Sequence, residues 1–312
     1  MNGILFGLLA ALLQSLSYLV SAAFVRRHAD RPSPSTALVA RSYLVMGAFA
    51  ALCLPPIFHL YVGRIPPLSA WWPLALGCIA TNMVAQVAMF FTLKLADASR
   101  VSPLTGIKIL FLALLGMVFR GDTFAPLQWG GIALAIASAA LLSRNGGRLG
   151  PAGLAGILVC CMAYAGSDFF IRLQQEVFTA HAKTIGNPLP TVLANLVIVW
   201  GDYAVGSVLA LAVLPFTGRY PARVWPRHVL PYALVWFSAM CFLYLSFNLL
   251  GVVHGTIVQN TRGILSILLG YAVARLGGAA LERRLDRGTQ LVRFAAGLAM
   301  FLAIVLFALG RS

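Results

Sequence analysis

Ten long apolar stretches follow one another along this chain, and no other feature constrains its fold as much. They cover roughly residues 3–25, 36–59, 70–93, 99–119, 125–143, 150–171, 189–215, 227–250, 252–274 and 290–309. A helix needs about 20 such residues to cross a bilayer. Inside hydrocarbon every backbone N–H and C=O must find its partner within its own segment, which leaves the helix as the spanning form for runs this long. The chain is therefore expected to be an all-α membrane protein of ten transmembrane helices. Composition agrees: 60% of the 312 residues are hydrophobic and 10% are charged, against about a quarter charged in a soluble domain. The longest connections, 172–188 and 275–289, leave no room for a soluble domain. Breakers mark several of them: Pro32 and Pro34, Pro66 and Pro67, Gly146 and Gly147, Gly186 and Pro188, Gly277 and Gly278.

The formal charge is +15, from 23 Lys and Arg against 8 Asp and Glu. In a soluble chain that balance would suggest nucleic acid. Here no basic run is interleaved with aromatics, so no nucleic-acid partner is expected. The cations lie between apolar runs, as signals of orientation and contacts for anionic headgroups do. One alternate set of connections, with the span ends beside it, holds 15 of them, from Arg26 and Arg27 through Lys94, Arg100 and Arg144 to Arg287 and Arg293. The other set and the termini hold 5: Arg64, Arg120, Arg172, Lys183 and Arg311. The positive-inside rule then puts both termini outside, and a bacterial inner membrane is the expected location. The first run lacks a basic leader and is followed by Arg26 and Arg27, so it reads as a retained span. Trp71, Trp72, Trp129 and Trp225 sit near run ends, where an interfacial aromatic belt is expected.

Five cysteines, all inside apolar runs, and five scattered histidines give no disulfide framework and no metal-ligand spacing. The Walker pattern G-x-x-x-x-G-K-[ST] is absent from the chain. No metal, cofactor or ATPase activity is expected, which leaves coupling to an ion gradient or to exchange.

The chain also resembles itself. At an offset of 150, Gln14, Ser17 and Tyr18 fall on Tyr164, Ser167 and Asp168. At 159, Gly47 and Pro56 fall on Gly206 and Pro215. At 154, Trp71, Ala85, Leu95, Leu115 and Gly116 match Trp225, Ala239, Leu249, Leu269 and Gly270. Offsets that change between blocks place the insertions in loops. Two five-span halves follow, 1–145 and 146–312, forming one integrated transmembrane domain. An odd number of spans per half inverts the second half across the membrane, a build that places a transport site at the midplane.

The segment Ala96–Ser143, ADASRVSPLTGIKILFLALLGMVFRGDTFAPLQWGGIALAIASAALLS, resembles the fourth and fifth helices of an EamA-type member of the drug/metabolite transporter superfamily. Small residues open the helix, LLG follows, and a Gly-acid turn precedes a QW-G-G-A helix; Leu250–Phe307 is similar but weaker. The resemblance implies a ten-helix carrier of two inverted five-helix repeats around a central cavity, and many such carriers export small metabolites. Two departures stand out. The family's Gly-Glu turn is Gly121-Asp122 here, with Gly278 and Glu282 separated in the second half. Relatives are also described with cytoplasmic termini, opposite to the charge bias of this chain. Carriers of phosphorylated metabolites in the superfamily use basic residues in these helices, so the resemblance admits an organic phosphate as cargo.

Candidate site residues come from polar groups stranded in apolar runs. Lys108 and Arg262 lie near the centres of theirs, 154 residues apart. A bare charge there costs about 3 kcal/mol on insertion scales, so such residues face a cavity or a partner. Thr105 shares a helical face with Lys108, and Gln259 and Ser266 share one with Arg262; Asn260 stands beside them. The pair could clamp an anionic or zwitterionic group, Arg262 gripping a carboxylate or phosphate bidentately and Lys108 acting as a point charge. The competing reading is an internal ion pair with Asp168 or Asp202 that only fixes helix packing. Both acids are candidates for proton coupling or ion pairing. Asp168, near the end of its run, is expected to snorkel, while for Asp202 proton coupling and pairing with Lys108 or Arg262 stand equal. Gln14, Tyr18, Asn82 and Gln86 form polar stripes that line a cavity or bond between helices. Arg41 is expected to snorkel, and Gly130, Gly131, Ala135 and Gly297 to allow close helix packing.

The lead reading is a secondary transporter of a small anionic or zwitterionic metabolite, working by alternating access with spans 4 and 9 at its centre. A flippase for a phospholipid or lipid-linked sugar shares fold and basic centre. An intramembrane enzyme using Asp168 and Asp202 lacks the Pro-Ala-Leu and Tyr-Asp contexts of aspartyl proteases of that kind. The expected partners are the lipid bilayer, the cargo and, as candidate assembly, a second copy in a homodimer.

Overall fold

The computed structural model describes residues 2–121, 123–144, 150–186, 188–275 and 287–310. Asp122, Gly146, Gly147, Gly277, Gly278 and Glu282 lie outside them. The described residues form helices and short turns with no strand. In order these are α1 (Asn2–Arg27), α2 (Pro34–Leu60), α3 (Leu68–Leu95), α4 (Ala98–Leu104), α5 (Lys108–Arg120), α6 (Pro126–Arg144), α7 (Pro151–Thr184), α8 (Thr191–Val213), α9 (Leu230–Leu250), α10 (Val252–Asn260), α11 (Arg262–Arg275) and α12 (Arg287–Leu309). Eight helical stretches are long and apolar enough to cross a membrane: α1, α2, α3, α4 with α5, α7, α8, α9 and α10 with α11. Large apolar side chains such as Val118 and Phe216 stay exposed on the outside of the bundle, where lipid covers them.

Two of the crossings are broken. Between α4 and α5 the chain tightens into a 3₁₀ turn, Thr105–Ile107. Pro103 explains it: proline has no N–H to give and its ring crowds the carbonyl one turn back. Between α10 and α11 the break falls at Thr261, whose N–H reaches back three residues to Val258 at 3.1 Å. The two breaks pack on each other. A Cβ on Gly263 would lie 3.0 Å from the Pro103 Cα, so only glycine lets the two backbones come this close. Ser266 Oγ donates to Ser102 Oγ at 2.9 Å across the same contact.

The most extensive pairings elsewhere join α3 to α7, α1 to α9, α6 to α12 and α2 to α8. The α2–α8 contact is also close, since a Cβ on Gly47 would lie 2.1 Å from the Cβ of Ser207. Gly130, expected to mediate packing, instead has open space around it.

Three further expectations change. The connection expected from residue 172 is helical, and α7 runs unbroken for 34 residues to Thr184. Gln174, Gln175 and Glu176 continue the helix without being apolar, so hydropathy ends before the helix does. Trp71 belongs to no interfacial belt; it is buried against Gly201 and Phe178, whereas Trp72, Trp129 and Trp225 are exposed. Arg100 and Arg293 do not stand in open connections but are buried within α4 and α12, where Arg293 donates to Ser99 Oγ at 3.0 Å.

Candidate functional site

Lys108 is the first residue of α5 and Arg262 the first of α11, so each cation begins the second half of a broken crossing. Both are 1% exposed. A helix N-terminus carries a partial positive charge from its unpaired N–H groups. A cation placed there adds to that potential, so the two half-helices together make a strongly positive centre.

The partners differ. Lys108 Nζ donates to Asp168 Oδ2 at 2.6 Å and to Gln259 Oε1 at 2.5 Å. Asp168 therefore does not snorkel: it is buried mid-way along the long α7 and neutralises Lys108. Arg262 has no carboxylate partner among the described residues. Its Nη1 donates to Gln14 Oε1 at 3.0 Å and its Nη2 to Thr105 Oγ1 at 2.8 Å. Gln14 Oε1 also accepts from Gln259 Nε2 at 3.1 Å, which links the two cations through α1. The guanidinium carbon stands 5.9 Å from the Tyr18 ring centroid and 6.0 Å from that of Tyr164. Buried Tyr18 Oη, Tyr164 Oη and Arg262 Nε have no hydrogen-bond partner among the described residues. The centre thus holds two positive charges, one negative charge and three unpaired polar atoms.

A second polar network lies beside it. Asp202 is 0% exposed and pairs with neither Lys108 nor Arg262, so of its two readings the ion pair is not found. Its Oδ2 accepts from Tyr244 Oη at 2.6 Å and from Gln174 Nε2 at 3.4 Å. The Tyr244 hydroxyl also contacts Cys78 Sγ at 3.4 Å, and that thiol contacts Ser167 Oγ at 3.5 Å. Asn82 Nδ2 donates to Ser167 Oγ at 3.2 Å, and Gln86 Nε2 to Asn82 Oδ1 at 2.6 Å. Tyr43 Oη donates to Asn82 Oδ1 at 2.8 Å, and Tyr232 Oη to Gln86 Oε1 at 2.8 Å. Asp168 and Asp202 share no partner, so they do not form the proton-sharing dyad an intramembrane protease needs.

Of the residues singled out in the sequence, Lys108, Arg262, Gln259, Thr105, Gln14, Tyr18 and Asp168 converge on the cation centre. Asn82, Gln86 and Asp202 belong to the second network. Asn260 turns away and donates to Thr256 O of its own helix at 2.7 Å. Arg41 does not snorkel: it is buried and donates to Thr217 Oγ1 and Gly218 O just beyond α8, each at 2.9 Å. Tyr164, Tyr244, Cys78, Ser167 and Gln174 were not singled out as site residues. The internal repeat carried a signal for Tyr164, which falls on Gln14; a buried tyrosine or cysteine in an apolar run otherwise reads as core.

A cavity of about 740 Å³ opens at one end of the bundle, between α7, α9 and α10. Arg172, Glu176, Lys183 and His254 line its walls, with Gln175 and Phe247 among the deeper residues. Gln175 Nε2 donates to Tyr244 O at 3.0 Å, so the layer beneath the cavity touches the residue that holds Asp202.

Comparison with known proteins adds three findings. The model of the EamA-like transporter family matches residues 1–144. A Sinorhizobium sp protein described as an uncharacterized transporter in the cobO 3' region is 30% identical over 133 residues, which are 43% of this chain and 93% of that protein. A crystal structure described only as that of a protein superposes on 99% of this chain and 97% of its own, with a TM-score of 0.61 at 17% identity.

Proposed function

The chain belongs to the EamA-like transporter family, and from that premise we propose that it is a secondary carrier of a small, singly charged anion or a zwitterion. One observation carries this reading: Arg262 stands buried at the crossing of the two broken spans with no carboxylate partner among the described residues, while its counterpart Lys108 is neutralised by Asp168. A buried, uncompensated charge is costly, and a cargo carboxylate would offset it. The phenol groups of Tyr18 and Tyr164, unpartnered among the described residues, would donate to the same oxygens in this reading. One net positive charge favours a monoanion over a doubly charged phosphate. The burial of the polar groups around Arg262 supports a soluble metabolite over a lipid as cargo.

The architecture of the reading is ten spans, counting α6 and α12, in two inverted halves at 1–145 and 146–312. The helix pairings support it. If α1 corresponds to α7, α2 to α8, α3 to α9 and α6 to α12, the α3–α7 pair maps onto α9–α1, while α2–α8 and α6–α12 map onto themselves. Lys108 and Arg262, the first residues of α5 and α11, are 154 apart, the offset of the internal repeat. The match of 43% of this chain to 93% of a relative makes that relative about half as long, in keeping with a half as the evolving unit. In this reading the halves rock about the broken helices to expose the centre alternately. The cavity beside α7 is the mouth on the side that the charge bias assigns to the outside.

The test is a thermal-shift screen of detergent-purified protein against matched panels of anionic, zwitterionic and cationic metabolites. Monocarboxylates or zwitterions are expected to raise the melting temperature of the wild type and to lose that effect in Arg262→Ala and Lys108→Ala. A shift with cations alone, or one indifferent to both substitutions, would overturn the reading. Any hit then goes to uptake measurements in proteoliposomes.

A further inference from the structure

We propose that Asp202 is a proton-carrying site, distinct from the Arg262 centre and placed to couple proton movement to the carrier cycle. The proposal rests on the carrier reading for the purpose the proton serves, and on geometry for the site itself.

Asp202 lies in the middle of α8, fully buried, and no lysine, arginine or histidine among the described residues bonds to it. The titratable groups on the elements packed around it are Tyr43 of α2, Cys78 of α3, Tyr203 of α8 and Tyr232 and Tyr244 of α9. All of them are neutral when protonated, and none can balance a carboxylate. Of the two carboxylates of α7, Asp168 is turned to Lys108 and Glu176 pairs with Arg172. An isolated carboxylate in so dry a place is not held ionised; it takes up a proton or a cation instead.

Geometry favours the proton. Oδ2 is already the acceptor for Tyr244 and Gln174, whereas Oδ1 and the buried Gln174 Oε1 have no partner among the described residues. A proton on Oδ1 removes the charge and turns that oxygen into a donor. A bare metal ion would need several oxygens converging on it, and the neighbours here are mainly hydroxyl and thiol donors. A chain of contacts leads from the open cavity to the site: Gln175 lines the cavity and bonds to the Tyr244 backbone, and the Tyr244 hydroxyl bonds to Asp202. The site also has a mechanical link to the cation centre. Helix α7 carries Gln174 to Asp202 and Asp168 to Lys108, and Ser167 beside Asp168 bonds into the Asp202 network. A change of charge at Asp202 that moves α7 therefore disturbs the Lys108–Asp168 pair.

The experiment needs no cargo. Infrared difference spectra of the purified protein in lipid, recorded through a pH titration, report the C=O stretch of a buried protonated carboxyl group. The expected result is a band that appears on acidification, is missing from Asp202→Asn and survives in Asp168→Asn. Tyr244→Phe, which removes one methyl-sized hydroxyl and leaves the ring, is expected to keep the band and shift its frequency by removing a hydrogen bond. It serves if Asp202→Asn fails to fold. Replacing potassium with sodium at constant pH should leave the band unchanged. No titrating band, a band unaltered in both Asp202→Asn and Tyr244→Phe, or a band abolished by sodium would each overturn the proposal. Because cargo is not involved, a metabolite panel that binds nowhere would sink the carrier reading and leave this one standing.

Discussion

Lys108 and Arg262 occupy equivalent places and keep different company. The lysine sits in an ion pair and the arginine among neutral oxygens and ring faces. In the carrier reading the difference gives Lys108 a stabilising role beside its share in the positive centre, and leaves the charge of Arg262 for the cargo. Lys108→Ala would leave the Asp168 carboxylate buried and alone, and breaking a buried pair costs about 3–5 kcal/mol. A large drop in melting temperature is the expected outcome in detergent. Combining Lys108→Met with Asp168→Leu should recover most of it, since a well-packed apolar pair replaces such a bridge at little cost. A double variant no more stable than Lys108→Ala would show that the pair does not set stability.

Much of this residue-scale arrangement was legible. Thr105 with Lys108 and Gln259 with Arg262 follow from helical spacing, and each cation bonds to the polar residue of the other span. Asp168 was misjudged because the apolar run stops near residue 171 whereas α7 continues to Thr184, which puts the acid mid-helix. The tyrosines were illegible because a phenol in an apolar run looks like core until its neighbours are known.

At the scale of elements, the broken crossings do the positioning. Each break ends one half-helix and begins another with a cation at its N-terminus, and the breaks touch at Gly263 and Pro103. Gly263→Val would force methyl groups against the Pro103 backbone, and overpacking of this kind costs about 1–3 kcal/mol. Lower thermal stability is expected, together with weaker binding of any anion found in the screen, because the crossing also sets the distance between Lys108 and Arg262. Unchanged melting and binding would mean that the helices separate freely there. The order of the eight apolar crossings among the described residues was readable from hydropathy. The partners of the crossings were not: two apolar faces look alike in sequence, and close contact sits at Gly47 and Gly263 but not at Gly130.

Among the described residues, the cavity beside α7 stands open while Lys108 and Arg262 at the centre are buried. Under the charge-derived orientation that cavity faces outward. Thr179→Cys, on its wall, is expected to react in intact cells with a membrane-impermeant thiol reagent. The native thiols at Cys78, Cys160 and Cys161 are buried and should stay silent. Labelling only after the cells are opened would reverse the assigned orientation.

The unequal company of the two central cations reaches further, to the membrane voltage. With Lys108 balanced by Asp168, the centre keeps one positive charge, and a full elementary charge crossing 100 mV is worth about 2.3 kcal/mol. In the proposed carrier cycle, and as long as Asp202 keeps its proton, an interior-negative potential would draw the unloaded centre toward the cytoplasmic side by whatever fraction of the field it crosses. A bound monoanion would cancel that charge, and the loaded form would move without regard to voltage. The potential would then act on the return of the unloaded carrier and leave the step that carries cargo alone.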